Sequence, residues 1–587
     1  MAPTTVKTTI KTGYVENTLP SDARNFLTSL DTGRLRWDLL RPFPAQDPAE
    51  RAACDTLLAN AGALLDEHID PIEVDATGRI PYGFLDELKA SPFSRLELPS
   101  GLGGLDLPPY SVFRVIEKFA AWSFSVGQVV ALANRVSPIT LLPLLPEGPL
   151  RDLVARRARE GVYGCFADTD PTGQNDKWPA ATLTPTPDGS AYILRGEKLF
   201  TGNGPIAELL IVTATLGAGD QRRVAFAVLD SGADGFSVRS HIDFMGSHGL
   251  PSAALTFDGV RIPREHVLMD VEGDTPLARP MSSLMLVGRV LSVGAPAMAV
   301  ARNCLRWSRE FVVRRRIDGL PLGEYDEIRR MLADTLADVH AMDTVARWCL
   351  LGPAPADRWF EQLVAKNILS TTAWRIADRT VSLLGGEGLE TARSKRRRGA
   401  PPIPLERAFR DVRGLRTVAN VDFQIDNQSA WLLLSRYYDG QLDPDSIAPA
   451  GVDAGAGSGL TPANRAHLGD AVRQIHEFRE TCRDLVRAHG DPQDLFAREH
   501  VLITVSRIAS ELFTMCAVLA RADGEDGDGA GGAGAAHFQN LADVHCTQAR
   551  HRLAGLWRHL PDGAEPDHAA LSARWLAGDG LDFLIEH

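Results

Sequence analysis

The spacing of hydrophobic residues divides the chain into a helical stretch, a β-rich stretch and a longer helical stretch. Between residues 46 and 157, apolar positions recur every three or four residues, as in ERAACDTLLANAGALLDEHI and YSVFRVIEKFAAWSFSVGQVVALANRV. This is the period of a helix that buries one face. We therefore predict an N-terminal helical domain over residues 46–157, preceded by an irregular segment over residues 1–45.

From about residue 158 the pattern changes to short β-prone runs separated by Gly, Pro and Asp. The runs are GVYGCFAD, AYILRGEKLF, LLIVTATL, RVAFAVLD, FSVRSHI and SAALTFDGVRI. Runs of this length between turn residues are typical of an antiparallel sheet. They predict a β domain over residues 158–275.

The helical period returns and then continues almost to the end of the chain. It predicts a helical domain over residues 276–438 and a C-terminal helical extension over residues 463–587. The stretch between them, 439–462, has the Gly, Pro and Asp content of a linker. The predicted fold class is therefore α+β, with helices on both sides of one β domain.

Composition and charge narrow the functional classes. The net charge is −13, which argues against a general nucleic-acid binder. No continuous apolar run reaches the roughly 18 residues of a membrane span, and the first residues lack the apolar core of a secretory signal. We therefore expect a cytoplasmic protein.

Cysteine and histidine spacing gives no support for a metal site. The seven cysteines are scattered singly, without a CxxC pair, and the 15 histidines show no HExxH spacing. Reduced, buried thiols are expected, and no bound metal.

Six short motifs follow one another between residues 46 and 437. They are PSGLGGLDLP, FADTDPTGQND, RGEKLFTGNG, FMGSHGLPSAALTFDGVRIP, VSLLGGEGLE and PLERAFRD. In this order they resemble motifs of the acyl-CoA dehydrogenase family, and the last helical block resembles the C-terminal extension of its very-long-chain members. The resemblance implies that family's fold, FAD as cofactor, an acyl thioester substrate and a homodimer. It also implies a glutamate base that takes the α-proton while hydride passes to the flavin.

The resemblance assigns two segments of the β domain to the flavin. The expected cofactor-binding residues are Phe166, Asp168, Thr169, Phe200, Thr201 and Gly202. Phe200 replaces the family's flavin-shielding Trp, and Gly202 replaces a Ser or Thr that bonds near flavin N5, so the adjacent Thr201 is a candidate substitute. Asp168 replaces an apolar residue. Its carboxylate would disfavour the anionic reduced flavin if it faces the ring, and would have no such effect if it faces solvent.

Further positions are assigned to the cofactor and the substrate by the same resemblance. Arg315 is expected to reach the partner subunit's FAD pyrophosphate, and Gly385 and Gly386 to contact the adenine side. The alternatives are a solvated helix end at residues 314–316 and an ordinary glycine turn. The residues expected beside the substrate are Gln174, Asn175 and Arg289.

The glutamate base is missing from its expected position. Counting from Arg410 and Asp411 without a gap, that position is Ala419. Some family members instead carry the glutamate early in the first long C-terminal helix, but no Asp or Glu occurs here between Asp274 and Glu310. Both base positions therefore lack a carboxylate.

Three interpretations remain open. Asp422, or Asp426, serves as a substitute base if the loop is rebuilt. Alternatively, the protein is a flavin-dependent oxygenase, whose relatives on this fold include members without the glutamate. In the third interpretation it is a non-catalytic subunit that binds acyl chains or supports a partner.

A basic segment, TARSKRRRGAPPIP, has no counterpart in the family's pattern. Five cationic residues fall within 393–398. This segment is either a solvated loop or a docking patch for an acidic partner such as an acyl carrier protein.

Overall fold

The computed structural model describes residues 25–585, except 175, 177, 270–286, 353–354, 446–449, 525–532, 561–566 and 579. The helices and strands occur in the predicted order, and the α+β fold class is confirmed.

Eight α-helices precede the sheet in the part of the chain that the structure describes, and five of them begin at proline or at an aspartate cap. The eight helices are α1 (Phe26–Ser29), α2 (Trp37–Leu40), α3 (Pro48–His68), α4 (Pro71–Thr77), α5 (Tyr82–Ala90), α6 (Pro109–Trp122), α7 (Phe124–Arg135) and α8 (Pro149–Glu160). Asp47 caps α3 by accepting hydrogen bonds from the N–H groups of Ala49 (2.9 Å) and Glu50 (3.0 Å). Proline follows this cap because its missing N–H costs nothing in a first turn.

The β domain is one mixed sheet. Its strands are β1 (Gly164–Ala167), β2 (Thr182–Pro185), β3 (Ala191–Gly202), β4 (Leu209–Leu216), β5 (Arg223–Asp230), β6 (Phe236–His241), β7 (Ser252–Pro263) and β8 (Val267–Met269). They lie in the order β6-β7-β3-β2-β4-β5-β8, and β1 pairs with β4. Most pairs are antiparallel, as predicted, but β1 and β2 each run parallel to β4. A register shift interrupts β3 between Lys198 and Thr201.

The second helical part starts with a π-helical turn, Val290–Gly294, that continues into α9 (Ala295–Arg314). A short hairpin of β9 (Arg316–Ile317) and β10 (Leu320–Pro321) follows. The next helices are α10 (Asp326–Leu350), α11 (Trp359–Leu384), α12 (Gly386–Leu389), α13 (Ala392–Arg397), α14 (Leu405–Gly414) and α15 (Asp422–Tyr438). The extension contains α16 (Pro462–Ala488), α17 (Pro492–Phe496), α18 (Glu499–Ala522), α19 (Ala533–His559) and α20 (His568–Leu576).

Apart from α8, whose apolar residues pack against the sheet, the long helices share one hydrophobic core. It runs continuously from Phe26 through α6, α9, α10 and α11 to Leu553 in α19, whereas the sheet has a core of its own. Near the start of the chain, Phe26 packs against Phe513 of the extension, with ring centroids 6.0 Å apart. The backbone N–H of Leu27 donates to Glu361 Oε1 at 2.8 Å. The extension is therefore part of the main helical body.

Helix α18 is long and apolar enough to cross a membrane by length and composition alone. However, 72% of its most apolar window is buried inside the protein, which is the environment of a core helix. All seven cysteines are buried with free thiols, and no group of three metal-binding side chains occurs among the described residues.

Candidate functional site

An aromatic wall stands where β3 bulges out of the sheet. Lys198 and Thr201 both point into the β domain, although two residues separate them, because the register shifts between them. Phe200 adopts a left-handed φ of 56° and leaves its side chain 55% exposed. Its ring centroid lies 6.1 Å from that of Phe244. The pair presents an open aromatic surface of the kind that packs against a planar ring.

The hydroxyl expected beside the flavin is absent from this wall. Thr201 is 2% exposed, and its Oγ1 finds no hydrogen-bond partner among the described residues. The bulge has turned it inward, so it does not share the exposed face of Phe200. Gly202 cannot carry the hydroxyl either, since a Cβ there would lie 2.6 Å from Leu132 Cδ1. The expectation that Thr201 substitutes for that hydroxyl therefore does not fit its burial.

Asp168 is half-buried, and neighbouring side chains bond to it. Its carboxylate accepts hydrogen bonds from Thr213 Oγ1 and Gln174 Nε2, both at 2.8 Å. It is also close enough to act on Arg289, where burial lowers the pKa to about 10 and the Asp168 charge opposes that shift. The structure thus brings Asp168, Gln174 and Arg289 into one group, while Asn175 lies outside the described residues. Neither alternative for Asp168, facing the flavin or facing solvent, anticipated these partners.

A buried ion pair between Lys198 and Asp170 holds the segment 166–170 against β3. The sequence motifs did not reveal this pair. Lys198 Nζ lies 2.7 Å from Asp170 Oδ1 and also donates to the backbone oxygen of Asp168 at 2.9 Å. The backbone oxygen of Thr169 accepts from Leu199 N–H at 2.7 Å. Phe166 packs its ring against Phe226, with centroids 6.2 Å apart. These contacts hold residues 166–170 in place as one rigid edge. The sequence feature that could have indicated the ion pair is Lys198, a lysine at an inward-facing position of β3.

The turn that carries Ala419 has an unusual backbone. Ala419 and Asn420 adopt φ values of 54° and 77°, a region that side chains other than glycine rarely enter. The fully buried Lys366 of α11 donates to the backbone oxygens of Asn420 (2.6 Å) and Arg416 (3.2 Å). Burial lowers the pKa of Lys366 to about 8, and the Asp422 carboxylate opposes that shift. Ala419 itself is exposed.

The two candidate substitute bases both have partners. Asp422 is buried, and its Oδ2 accepts from Arg416 Nε at 2.7 Å while its Oδ1 accepts from the N–H of Phe423 at 2.8 Å. Burial raises the pKa of Asp426, whose oxygens accept from Asn367 and Arg507 at 2.8 Å each. A role as base stays a prediction for either residue. For Asp422 it would require Arg416 to release the carboxylate.

The predicted pyrophosphate and adenine segments lie side by side. Arg314, the neighbour of Arg315, forms an ion pair with Glu387 between the two. Arg315 is exposed at the end of α9, and its backbone oxygen accepts from the N–H of Leu322 at 2.9 Å. A Cβ added at Gly385 or Gly386 would meet no atom within 4 Å, so this backbone is open to a ligand or partner. Arg315 remains the predicted phosphate contact. The ion pair that joins the two segments in the structure is made by Arg314, with Glu387.

The basic segment 393–398 is less basic than its composition suggests. Lys395 is fully buried and donates to the backbone oxygen of Ile403 at 2.5 Å. Arg396 pairs with Asp70 at 2.9 Å, and Arg398 pairs with Glu390 at 2.6 Å. Three of its five cations are therefore engaged within the chain, which weakens the case for a docking patch.

A water-sized cavity lies where the 244–250 loop meets α4 and α14. Its lining includes Asp75, Ser125, His248, Arg407 and Asp411. Asp411 Oδ1 accepts from the N–H of Ser247 at 2.6 Å, and burial raises its pKa to about 6. The bond between Asp411 and Ser247 ties α14 to the 244–250 loop of the β domain. Asp411 lies six residues before the turn that begins at residue 417, so this bond holds the helix that leads to Ala419.

Comparisons with known proteins agree with this architecture. Residues 165–260 match the family description "Acyl-CoA dehydrogenase, middle domain", and residues 279–419 match "Acyl-CoA dehydrogenase, C-terminal domain". A protein named "Probable acyl-CoA dehydrogenase FadE10" from Mycobacterium tuberculosis is 27% identical over 573 residues, covering 92% of this chain and 86% of that protein. The human mitochondrial very long-chain specific acyl-CoA dehydrogenase is 23% identical, covering 91% and 84% respectively.

A solved structure has the same fold over nearly the whole chain. The acyl-CoA dehydrogenase of Bacillus anthracis, complexed with FAD, superimposes with a TM-score of 0.74 at 16% identity and covers 95% of both chains. The chain therefore contains the middle and C-terminal domains of the acyl-CoA dehydrogenase family. These comparisons confirm the predicted resemblance and support FAD as the cofactor.

The residues present fit part of such a cofactor's surroundings. The exposed Phe200 and Phe244 suit the face of a flavin ring, and the open backbone at Gly385 and Gly386 suits close approach of a ligand. The hydroxyl near the reactive edge and the carboxylate at position 419 are missing. The site therefore retains features that suit binding a flavin, and it lacks both a hydroxyl expected to bond the flavin and a carboxylate expected to act on the substrate.

Proposed function

We propose that the protein binds FAD and an acyl thioester, coenzyme A or carrier-linked, at a divergent dehydrogenase site. The observation that carries the proposal is the combination at the site: the aromatic wall of Phe200 and Phe244 is present, whereas Ala419 has no carboxylate. FAD, when bound, supplies the redox chemistry. The relatives' names, which describe acyl-CoA dehydrogenases, support the thioester substrate.

The chain's own residues have separate roles in this proposal. The rigid 166–170 edge and the aromatic wall orient the ring, and Arg289 supplies positive charge beside Asp168 and Gln174 for a polar part of the substrate or cofactor. The open glycines and Arg315 receive the phosphate and adenine side, with Arg315 acting across a homodimer. Exposed apolar residues on and before the hairpin, Val313, Ile317 and Leu320, support such a subunit contact. The same proposal includes domain boundaries at residues 157, 275, 438 and 462. It also includes a cytoplasmic location.

The proton acceptor is the part of the mechanism that differs from the family. An acidic C–H beside a thioester needs a base in contact, and a missing general base costs about 100- to 10,000-fold in rate. Asp422 is our candidate, provided that substrate binding displaces Arg416. If Asp422 does not move, the family's reaction is slow and the protein acts mainly as an acyl-binding subunit; the absent carboxylate at Ala419 favours this second function.

The visible spectrum of the purified protein, followed by anaerobic titration with acyl thioesters, tests the proposal. We expect flavin absorbance, and slow bleaching by a thioester. A colourless protein that does not take up added FAD would contradict the proposal. Flavin that turns over only with a reductase and oxygen would instead identify an oxygenase.

The variant Asp422→Asn tests the base separately. If Asp422 is the base, this variant retains FAD but loses bleaching. Unchanged bleaching would exclude Asp422, and Asp31→Asn is the matched comparison because Asp31 is also buried and ion-paired but lies outside the site. Sedimentation of the native protein tests the homodimer, since a single chain of 63.7 kDa would contradict it.

A further inference from the structure

The Ala419 turn is connected to the C-terminal extension by an unbroken series of hydrogen bonds. The series begins at Lys366 of α11, which donates to both ends of the turn through the backbone oxygens of Arg416 and Asn420. The Arg416 side chain then bonds Asp422 across the turn, and the Asp422 N–H donates back to the Arg416 oxygen at 3.0 Å. The turn is thus closed by its own residues and clamped by α11.

The next residue of α11 extends the series into α15. Asn367 Nδ2 donates to the backbone oxygen of Asp422 at 2.7 Å and to Asp426 Oδ1 at 2.8 Å. One amide therefore holds the first turn of α15 at two points. Asn367, Asp422 and Asp426 are all buried, so water does not readily replace these bonds.

The last link comes from the extension. Arg507 of α18 donates through Nε to Asp426 Oδ2 at 2.8 Å. Asp426 is buried, which raises its pKa, and Arg507 is the first of the groups that oppose this rise. The matched family domains end at residue 419, so this link is supplied by a part of the chain outside them.

Removing Arg507 has a definite physical consequence. A buried carboxylate that loses its cation either takes up a proton or turns toward water. A protonated Asp426 is a weaker acceptor for Asn367, and Asn367 is what fixes the start of α15. Left-handed residues other than glycine persist only where their surroundings hold them, so Ala419 and Asn420 are the first to relax.

We propose that Arg507 is a positioning residue through which the C-terminal extension holds the Ala419 turn in its left-handed conformation. Its effect on turnover rests on the proposed function, because the turn matters to catalysis only if a thioester binds beside it. Its effect on the turn itself does not.

A spin label at position 419 measures the turn directly. All seven native cysteines are buried, so Ala419→Cys adds a single accessible thiol to the full-length, flavin-loaded protein. A nitroxide attached there should become at least about twofold more mobile when Arg507→Met is added, because its anchoring bonds are lost. Amide exchange in residues 413–424 should accelerate by about tenfold in the same variant.

The matched control is Arg552→Met. Arg552 is also an extension arginine with a carboxylate partner, Glu511, at 2.7 Å, but that pair joins α19 to α18 and makes no bond to the turn. It should leave both readouts unchanged, and Arg507→Lys should restore most of the native mobility. If Arg507→Met leaves label mobility and exchange at native values, or if Arg552→Met changes them equally, the proposal is wrong.

A second variant covers the case in which Arg507→Met does not fold. Asp426→Asn removes the same ion pair from the other side and should loosen the turn alone. If both variants fold, the double variant Arg507→Met/Asp426→Asn should show about the same label mobility and amide exchange as either single variant, because both substitutions break the same ion pair. Additive effects would contradict the proposal. A loosened turn in a protein whose flavin no thioester bleaches would uphold the positioning role and reject dehydrogenation, leaving acyl binding as the function.

Discussion

At the scale of single residues, the departure from the family is concentrated at a few backbone positions. Ala419 and Asn420 adopt left-handed conformations at the position where the resemblance places the glutamate, although neither is glycine. Such a residue costs about 1–2 kcal/mol that the surrounding bonds must offset. The chain therefore has a tightly held turn at this position, and the turn carries no base.

Ala419→Glu should consequently increase the rate of anaerobic flavin bleaching by an acyl thioester by about 100- to 10,000-fold. The position is the one that the resemblance assigns to the base, and it is exposed, so a longer side chain has room there. Rapid-mixing absorbance measurements would give the rate. Ala419→Gln is the control, because it matches glutamate in size without accepting a proton; an equal gain with glutamine would show that the effect is not base catalysis.

The missing base could be predicted from the sequence because Arg410 and Asp411 set the register of the segment that ends at Ala419. In the structure this dipeptide is held by contacts with Met245, Asp75 and Ser247. The same reasoning failed for Thr201. A β-bulge changes which residues face outward, and period-2 alternation cannot reveal it. Nor could the sequence reveal that Asp422 is bonded to Arg416, because that depends on how the turn closes.

At the scale of elements, the extension contributes buried polar groups to the main body. Helix α19 places His545 at 2% exposure, with no hydrogen-bond partner for either ring nitrogen among the described residues. Burial, with Arg552 adding to it, lowers the pKa of His545 to about 4 from 6.5. The amphipathic period of this helix is visible in the sequence, but no sequence pattern shows that a histidine lies on its buried face.

This histidine should make the protein sensitive to acid. The unfolded chain binds a proton at His545 below pH 6.5 and the folded protein only below about pH 4, so stability falls as pH drops through that window. The loss amounts to about 3 kcal/mol once pH is below both values.

Replacing His545 by Gln should remove that part of the pH dependence. Denaturant unfolding at pH 7 and pH 4 would show the variant gaining about 3 kcal/mol relative to the native protein on acidification. The exposed His559→Gln on the same helix is the control. A difference between His545→Gln and the native protein that stays constant with pH would contradict this assignment.

At the scale of the whole molecule, the predicted helical segments proved to be one body. The hydrophobic periods located the helices well, and the order of elements predicted the fold. They could not show that α1, α11 and α18 meet, because contacts such as Leu27 to Glu361 join positions 334 residues apart. Long-range pairing is set by packing, which local periodicity does not record.

A chain that ends at Asp439 should therefore fail to fold into a stable protein. It would expose the faces of α15, α10 and α1 that now pack against the extension, including Phe26 and Ile425. Soluble yield and the cooperativity of thermal unfolding would measure the loss. A truncated chain that melts cooperatively near the native temperature would show that the extension is an independent addition.

The shared core also imposes an order on synthesis. The β domain has a core of its own and a second cluster with α8, so both can fold once the last strand has left the ribosome. Helix α1 cannot, because Phe26 packs against Phe513 and the N–H of Leu27 donates to Glu361, and both partners are synthesised later. Until the extension has been synthesised, apolar residues of α1 such as Phe26 remain without their packing partners. We therefore expect chaperones that bind exposed apolar surfaces to bind the nascent chain.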